Sequence, residues 1–304
     1  MNPQVPDVPV RPDAATLPWP GAAARLADYA ALAKPRLNLL VVASAGAGFY
    51  LGSERLDPAL MFHAISGTAL VAGGAAAFNE IIERDTDALM RRTRTRPLPL
   101  QRIELAPATW FAVALSVLGL LQLAAGANAF AAGVALATLV SYVLVYTPMK
   151  RRSPMATLVG GVPGALPPLI GWTAASGELT AGALTLFAIV FLWEMPHFLA
   201  IAWLCREDYA RAGLRMLPVV EPDGRSTAQQ TVLYAAVLVP VSLAAMPAGL
   251  AGKAYFAGAA LLGVAFLALA LRFARRRDRA TALQLFLGSI VYLPLLWALM
   301  LLDH

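Results

Sequence analysis

Long unbroken apolar runs alternate with short polar stretches along most of this chain. Nine such runs occupy roughly residues 37–53, 58–82, 106–126, 128–147, 156–174, 180–204, 228–249, 253–273 and 281–302. Each approaches the length of about 20 residues that an α-helix needs to cross the hydrocarbon core of a bilayer. The two-residue alternation of a membrane β-barrel is absent from them. A helix satisfies its own backbone hydrogen bonds in lipid, so the pattern predicts an all-α, polytopic membrane protein with nine transmembrane helices. No polar linker divides residues 34–304, which are expected to form one domain.

Composition agrees with that pattern, since 59% hydrophobic and only 14% charged residues leave more apolar surface than one soluble core could hide. The charges also sort by side. All but two of the 24 lysines and arginines fall before the first run or in the second, fourth, sixth and eighth connections, the exceptions being Arg55 and Lys253. The positive-inside rule then puts the N-terminus in the cytoplasm and His304 outside; the chain is expected in the inner membrane of a bacterium. The net charge of +6 reflects this topology and an attraction to membrane lipids with anionic headgroups; no basic–aromatic motif points to nucleic acid. Six prolines among the first twenty residues, with Asp7, Arg11 and Asp13, exclude a secretory or transit peptide and predict a disordered cytoplasmic tail over residues 1–33. The terminal His304 is expected to be disordered as well.

Candidate chemistry begins where the second run ends. Residues 79–97 gather four carboxylates and five arginines. Asn79, Glu83 and Asp87 lie at i, i+4 and i+8, so on a continuing helix they share a face, each step turning only about 40° further. Three oxygen donors in a row suit Mg²⁺, which keeps open positions for water and substrate phosphates, and the guanidinium groups nearby suit the phosphates themselves. Most charge runs are solvated loops, but the four-residue spacing argues against that here. A second cluster, Arg206-Glu207-Asp208-Tyr209, follows the sixth run as the first follows the second. The pair suggests one shared cavity in which metal and arginines hold a diphosphate.

Several stretches carry a further resemblance: Lys34-Pro35-Arg36, Asp85-Thr86-Asp87-Ala88-Leu89-Met90, Arg92-Thr93-Arg94-Thr95-Arg96-Pro97, Tyr146-Thr147-Pro148-Met149-Lys150, Pro167-Pro168-Leu169-Ile170-Gly171-Trp172 and Pro196-His197-Phe198. With the spaced Asn79, Glu83 and Asp87, these resemble the UbiA-type intramembrane prenyltransferases, and within them the haem-farnesylating branch. The resemblance implies a helical bundle around a central cavity, in which the farnesyl group of farnesyl diphosphate joins a vinyl group of haem b and water then adds. It implies Mg²⁺ held by Asn79, Glu83 and Asp87, with Asp208 on a second ion or in its water shell. Arg92, Arg96 and Lys150 become diphosphate contacts, and Tyr146, Glu207, Tyr209 and His197 further substrate contacts. A haem-pathway or oxidase-assembly partner would use the product, without being identified. Three positions depart from the family pattern: Glu83 stands where an Asp is usual, Ala212 replaces the last Asp of the second motif, and Ala156 replaces an expected Asn.

Glu194 and His197 lie inside an otherwise apolar run, about 16 Å and 12 Å from its cytoplasmic end. An acidic residue near mid-membrane costs on the order of 3 kcal/mol, which requires a cavity or a partner. For His197 a haem contact, including axial ligation of the iron, and a helix–helix hydrogen bond both stand open; Glu194 is expected to pair with it. Two other functions fit parts of the pattern. An aromatic prenyltransferase would need the second aspartate pair missing at Ala212, and a proton-coupled transporter would place its charged clusters near mid-membrane rather than at helix ends.

Overall fold

A computed structural model describes residues 21–304, which contain helices and connections but no strand. Helix α1 (Ala22–Ala33) comes first and corrects the expected tail. Its residues order because Leu32 is buried, the Tyr29 ring meets Phe111 edge-on at 5.0 Å, and Asp28 pairs with Arg102 at 2.9 Å. Residues 1–20 of that tail lie outside the described residues. Lys34 then turns the chain in the left-handed region (φ 47°), and Pro35, with φ already set for a helix, opens α2 (Pro35–Leu51).

The remaining apolar runs follow as helices. They are α3 (Pro58–Asp87), α4 (Leu105–Gly126), α5 (Ala129–Val140) continued by a π-helical turn at Ser141–Tyr146 and α6 (Thr147–Met149), α7 (Ala156–Ala165) with α8 (Pro167–Ser176), and α9 (Ala181–Leu204). After the short α10 (Arg206–Arg211) and α11 (Leu217–Val220) come α12 (Arg225–Leu243), α13 (Lys253–Arg276) and α14 (Arg279–Leu302). Every expected span thus has a helical counterpart among the described residues. Seven of these stretches are individually long and apolar enough to cross a membrane; α2, with 17 residues, and α12, which opens on Arg225, Ser226 and Thr227, fall outside that group. Helix starts are set locally: Asp57 accepts the amides of Ala59 and Leu60, Asn128 that of Ala131, and Asp278 that of Thr281. His304, expected to be loose, is held by the Leu250 carbonyl at 3.0 Å.

The largest apolar core joins α9, α12, α13 and α14 around Leu186, Ile189, Trp193, Tyr255, Phe266 and Tyr292. Trp193 donates across it to the Ser289 carbonyl at 2.8 Å. On the other side, α2 and α8 approach so closely that a methyl group on Gly171 would overlap the carbonyl of Ala45 and the amide of Phe49. Both obstacles are backbone and cannot swing aside. Gly171→Ala is therefore expected to cost about 1–3 kcal/mol, lowering the thermal unfolding midpoint in detergent, whereas Gly133→Ala, which meets nothing inside α5, should not lower it. Between the two sides, α2, α3, the π-helical turn, α7 and α9 enclose a cavity of about 440 Å³.

Candidate active site

Helix α3 continues five residues past the expected end of its run, and its last two turns carry the acidic face. It does so because the acids have partners. Asn79, Glu83 and Asp87 are 4%, 8% and 1% exposed and all line the cavity. Each meets a cation: Lys34 Nζ lies 3.1 Å from Asn79 Oδ1, Lys150 Nζ 2.8 Å from Glu83 Oε1, and Arg96 Nη1 2.7 Å from Asp87 Oδ2. Glu80, off the expected face, joins the same cluster through Lys34 at 3.4 Å and Arg96 at 3.6 Å. Arg84 and Asp85, between the donors in sequence, instead pair with each other outside.

Facing α3 is a second ladder with four-residue spacing, Tyr142, Tyr146 and Lys150, all on the cavity. The π-helical turn delivers it, and Gly160 of α7 leaves room for the Tyr146 ring, over which Lys150 Nζ sits at 4.5 Å. Arg92 also lines the cavity, and its guanidinium has no acidic partner among the described residues. Four cations (Lys34, Arg92, Arg96, Lys150) therefore face three carboxylates (Glu80, Glu83, Asp87). Burial, and then the nearby Arg96 charge, pulls the Lys34 ammonium down to about 8.

The donor set fits Mg²⁺ as part of a shell. It offers an amide oxygen and carboxylates, and Asp87 Oδ1 and Glu80 Oε2 are buried with no hydrogen-bond partner among the described residues. Among the described residues no three His, Cys, Asp or Glu side chains close around a metal on their own. An ion here would keep positions for water and phosphate oxygens.

The second cluster is placed differently from expectation. Asp208 does not line the cavity; its carboxylate lies 3.4 Å from the backbone amides of Arg91 and Arg92 and pairs with Arg211, so it ties α10 to the turn after α3. Glu207 is exposed and also off the cavity. Tyr209 does line it, and burial pushes its hydroxyl up to about 12, keeping it a donor. Deeper in, His197 lines the wall, but Glu194 does not pair with it. The Glu194 carboxylate lies against Gly164 of α7, and its Oε2 has no hydrogen-bond partner among the described residues. Sequence reasoning missed Glu80, Lys34 and Tyr142. Only Tyr142 had a periodic signal, four residues before Tyr146 and eight before Lys150.

Comparison with known proteins bears on this geometry. The model of the UbiA prenyltransferase family matches residues 39–299. A protein of Solibacter usitatus (strain Ellin6076) called protoheme IX farnesyltransferase is 47% identical over 287 residues, 91% of this chain and 98% of its own. Among solved structures, a digeranylgeranylglyceryl phosphate synthase superposes with a TM-score of 0.78 at 17% identity, covering 92% of this chain and 98% of that one. A UbiA homologue from Archaeoglobus fulgidus bound to GPP and Mg²⁺ does so with 0.64 at 17% identity, covering 90% and 99%. The structural likenesses speak for the fold alone. With the family model spanning most of its length and a relative this similar along nearly all of it, the chain belongs to the UbiA prenyltransferase family.

Proposed function

We propose that this chain transfers the farnesyl group of farnesyl diphosphate to a vinyl group of haem b, giving haem O and diphosphate. The observation that carries the reading is the charged end of α3. Oxygen donors and cations are gathered there at the mouth of a cavity whose deeper wall is apolar, with Val190, Trp193, Phe198 and Ile201. The acceptor is supported by the name of the Solibacter relative, and the metal by the ligands of the Archaeoglobus homologue.

In this reading Asn79, Glu83 and Asp87 hold Mg²⁺, and Arg92, Arg96, Lys150 and Lys34 take the diphosphate oxygens. When bound, the ion supplies Lewis-acid stabilisation of charge on the leaving group. The cations hold the diphosphate as the allylic C–O bond breaks and its electron pair departs with oxygen. The farnesyl carbon then bonds to the terminal vinyl carbon, and water adds to the adjacent carbon and gives up a proton. The apolar wall keeps water from the allylic cation before that bond forms. Tyr146 and Tyr209 donate to oxygens at the rim, and Asp208 positions the turn that carries Arg92. The purified chain is expected to release diphosphate only when Mg²⁺ and haem b are both present, and a chelator should stop it. Release that is as fast without haem would overturn the acceptor.

The chain is further read as an inner-membrane protein with a cytoplasmic N-terminus, because the charged cluster must meet water-borne substrate and Mg²⁺ on the Lys/Arg-rich side. A periplasm-active reporter fused after His304 should be active. A cytoplasm-active reporter there would overturn this orientation.

A further inference from the structure

His197 is held from three sides. Its ring stacks with Trp193 at 5.0 Å and 20° and with Phe286 of α14 at 5.3 Å and 30°. Its Nδ1 is 2.7 Å from Ser289 Oγ. That hydroxyl in turn lies 2.6 Å from the carbonyl oxygen of Phe286, which can only accept, so the hydroxyl hydrogen is committed there. Toward the imidazole, Ser289 Oγ can then only accept. The ring proton therefore sits on Nδ1, and Nε2 keeps a free lone pair.

Among the described residues nothing uses that lone pair. His197 lines the cavity, no hydrogen bond reaches Nε2, and the carboxylate of Glu194 lies on Gly164 instead. A helix–helix hydrogen bond would explain Nδ1 and leave Nε2 without a purpose. A neutral imidazole whose Nδ1–H is bonded to oxygen, on a residue that lines a ligand-sized cavity, has the arrangement of a metal-ligating histidine. The oxygen donors of α3 already suit a hard ion at the cytoplasmic end. A nitrogen donor one apolar wall away suits a softer iron centre.

We propose that His197 Nε2 is the axial ligand of the haem iron, and that Ser289 is the positioning residue that fixes its tautomer and ring plane. The proposal rests on haem b being the acceptor. It gives α14, whose sequence carries no motif of its own, a direct part in seating that acceptor.

The test uses the full chain with ferrous haem b and resonance Raman spectroscopy. An iron–histidine stretching band is expected in the wild type, lost in His197→Gln and kept in His63→Gln, whose ring is bonded to Gln122 elsewhere. Ser289→Ala should shift the band to lower frequency and weaken haem affinity about tenfold, and Ser289→Thr should restore both. A merely structural serine would leave the frequency unmoved, which would overturn its role. Absence of the band in a wild-type preparation that still farnesylates haem would overturn the ligation while leaving the transfer reaction standing. A preparation that farnesylates no haem would instead overturn the acceptor itself. Should His197→Gln fail to fold, the wild-type band and the Ser289 pair still decide the matter.

Discussion

Asp87→Asn is expected to lower farnesyl transfer by on the order of 100-fold or more while the protein stays inserted and folded. Asp87 is 1% exposed, with one oxygen on Arg96 and the other, Oδ1, without a hydrogen-bond partner among the described residues. Asparagine keeps the size of the side chain and one oxygen but removes the charge that a divalent ion needs. The fold should tolerate the change because Arg96 retains Glu80 at 3.6 Å. Glu83→Gln should behave alike. The measurement is the initial rate of diphosphate release at saturating Mg²⁺. Either variant keeping more than about a tenth of wild-type turnover would take these carboxylates out of the metal site.

Lys150→Gln should weaken binding of a non-reactive farnesyl diphosphate analogue by about ten- to 100-fold and leave haem affinity near wild type. Lys150 sits 2.8 Å from Glu83 and above the Tyr146 ring, with most of its side chain buried. A charge-assisted contact in such a setting contributes about 1.5–3 kcal/mol. Arg84→Gln is the control, since its pair with Asp85 is exposed and contributes little. Equal losses in the two variants would mean that general surface charge, and not this lysine, attracts the diphosphate.

The helices were legible because lipid leaves the backbone few solutions, so each apolar run announced a helix, seven of them long and apolar enough to cross a membrane. Helix α1 was not, since the prolines before it set the tone of the tail while Tyr29 and Leu32 act through contacts with residues far along the chain. The spacing of Asn79, Glu83 and Asp87 revealed one wall of the site. Glu80 escaped because a neighbour one residue on should point about 100° away, and only the positions of Lys34 and Arg96 draw it in. Asp208 resembled a metal donor because two clusters of similar composition look alike in sequence. Composition does not say which face of a one-and-a-half-turn helix meets the cavity, and this one meets the amides of Arg91 and Arg92. Ser289 had no signal at all, being one hydroxyl in an apolar helix whose meaning depends on His197, 92 residues away.

Haem extracted from cells that express this chain, in a host lacking any haem-farnesylating enzyme of its own, tests the proposed reaction most directly. Chromatography and mass spectrometry should reveal a more hydrophobic haem, heavier than haem b by one farnesyl and one hydroxyl group. Cells expressing Asp87→Asn at the same level should lack it. Haem b alone in cells that hold the intact wild-type protein in their membrane would contradict the assignment of haem as the acceptor.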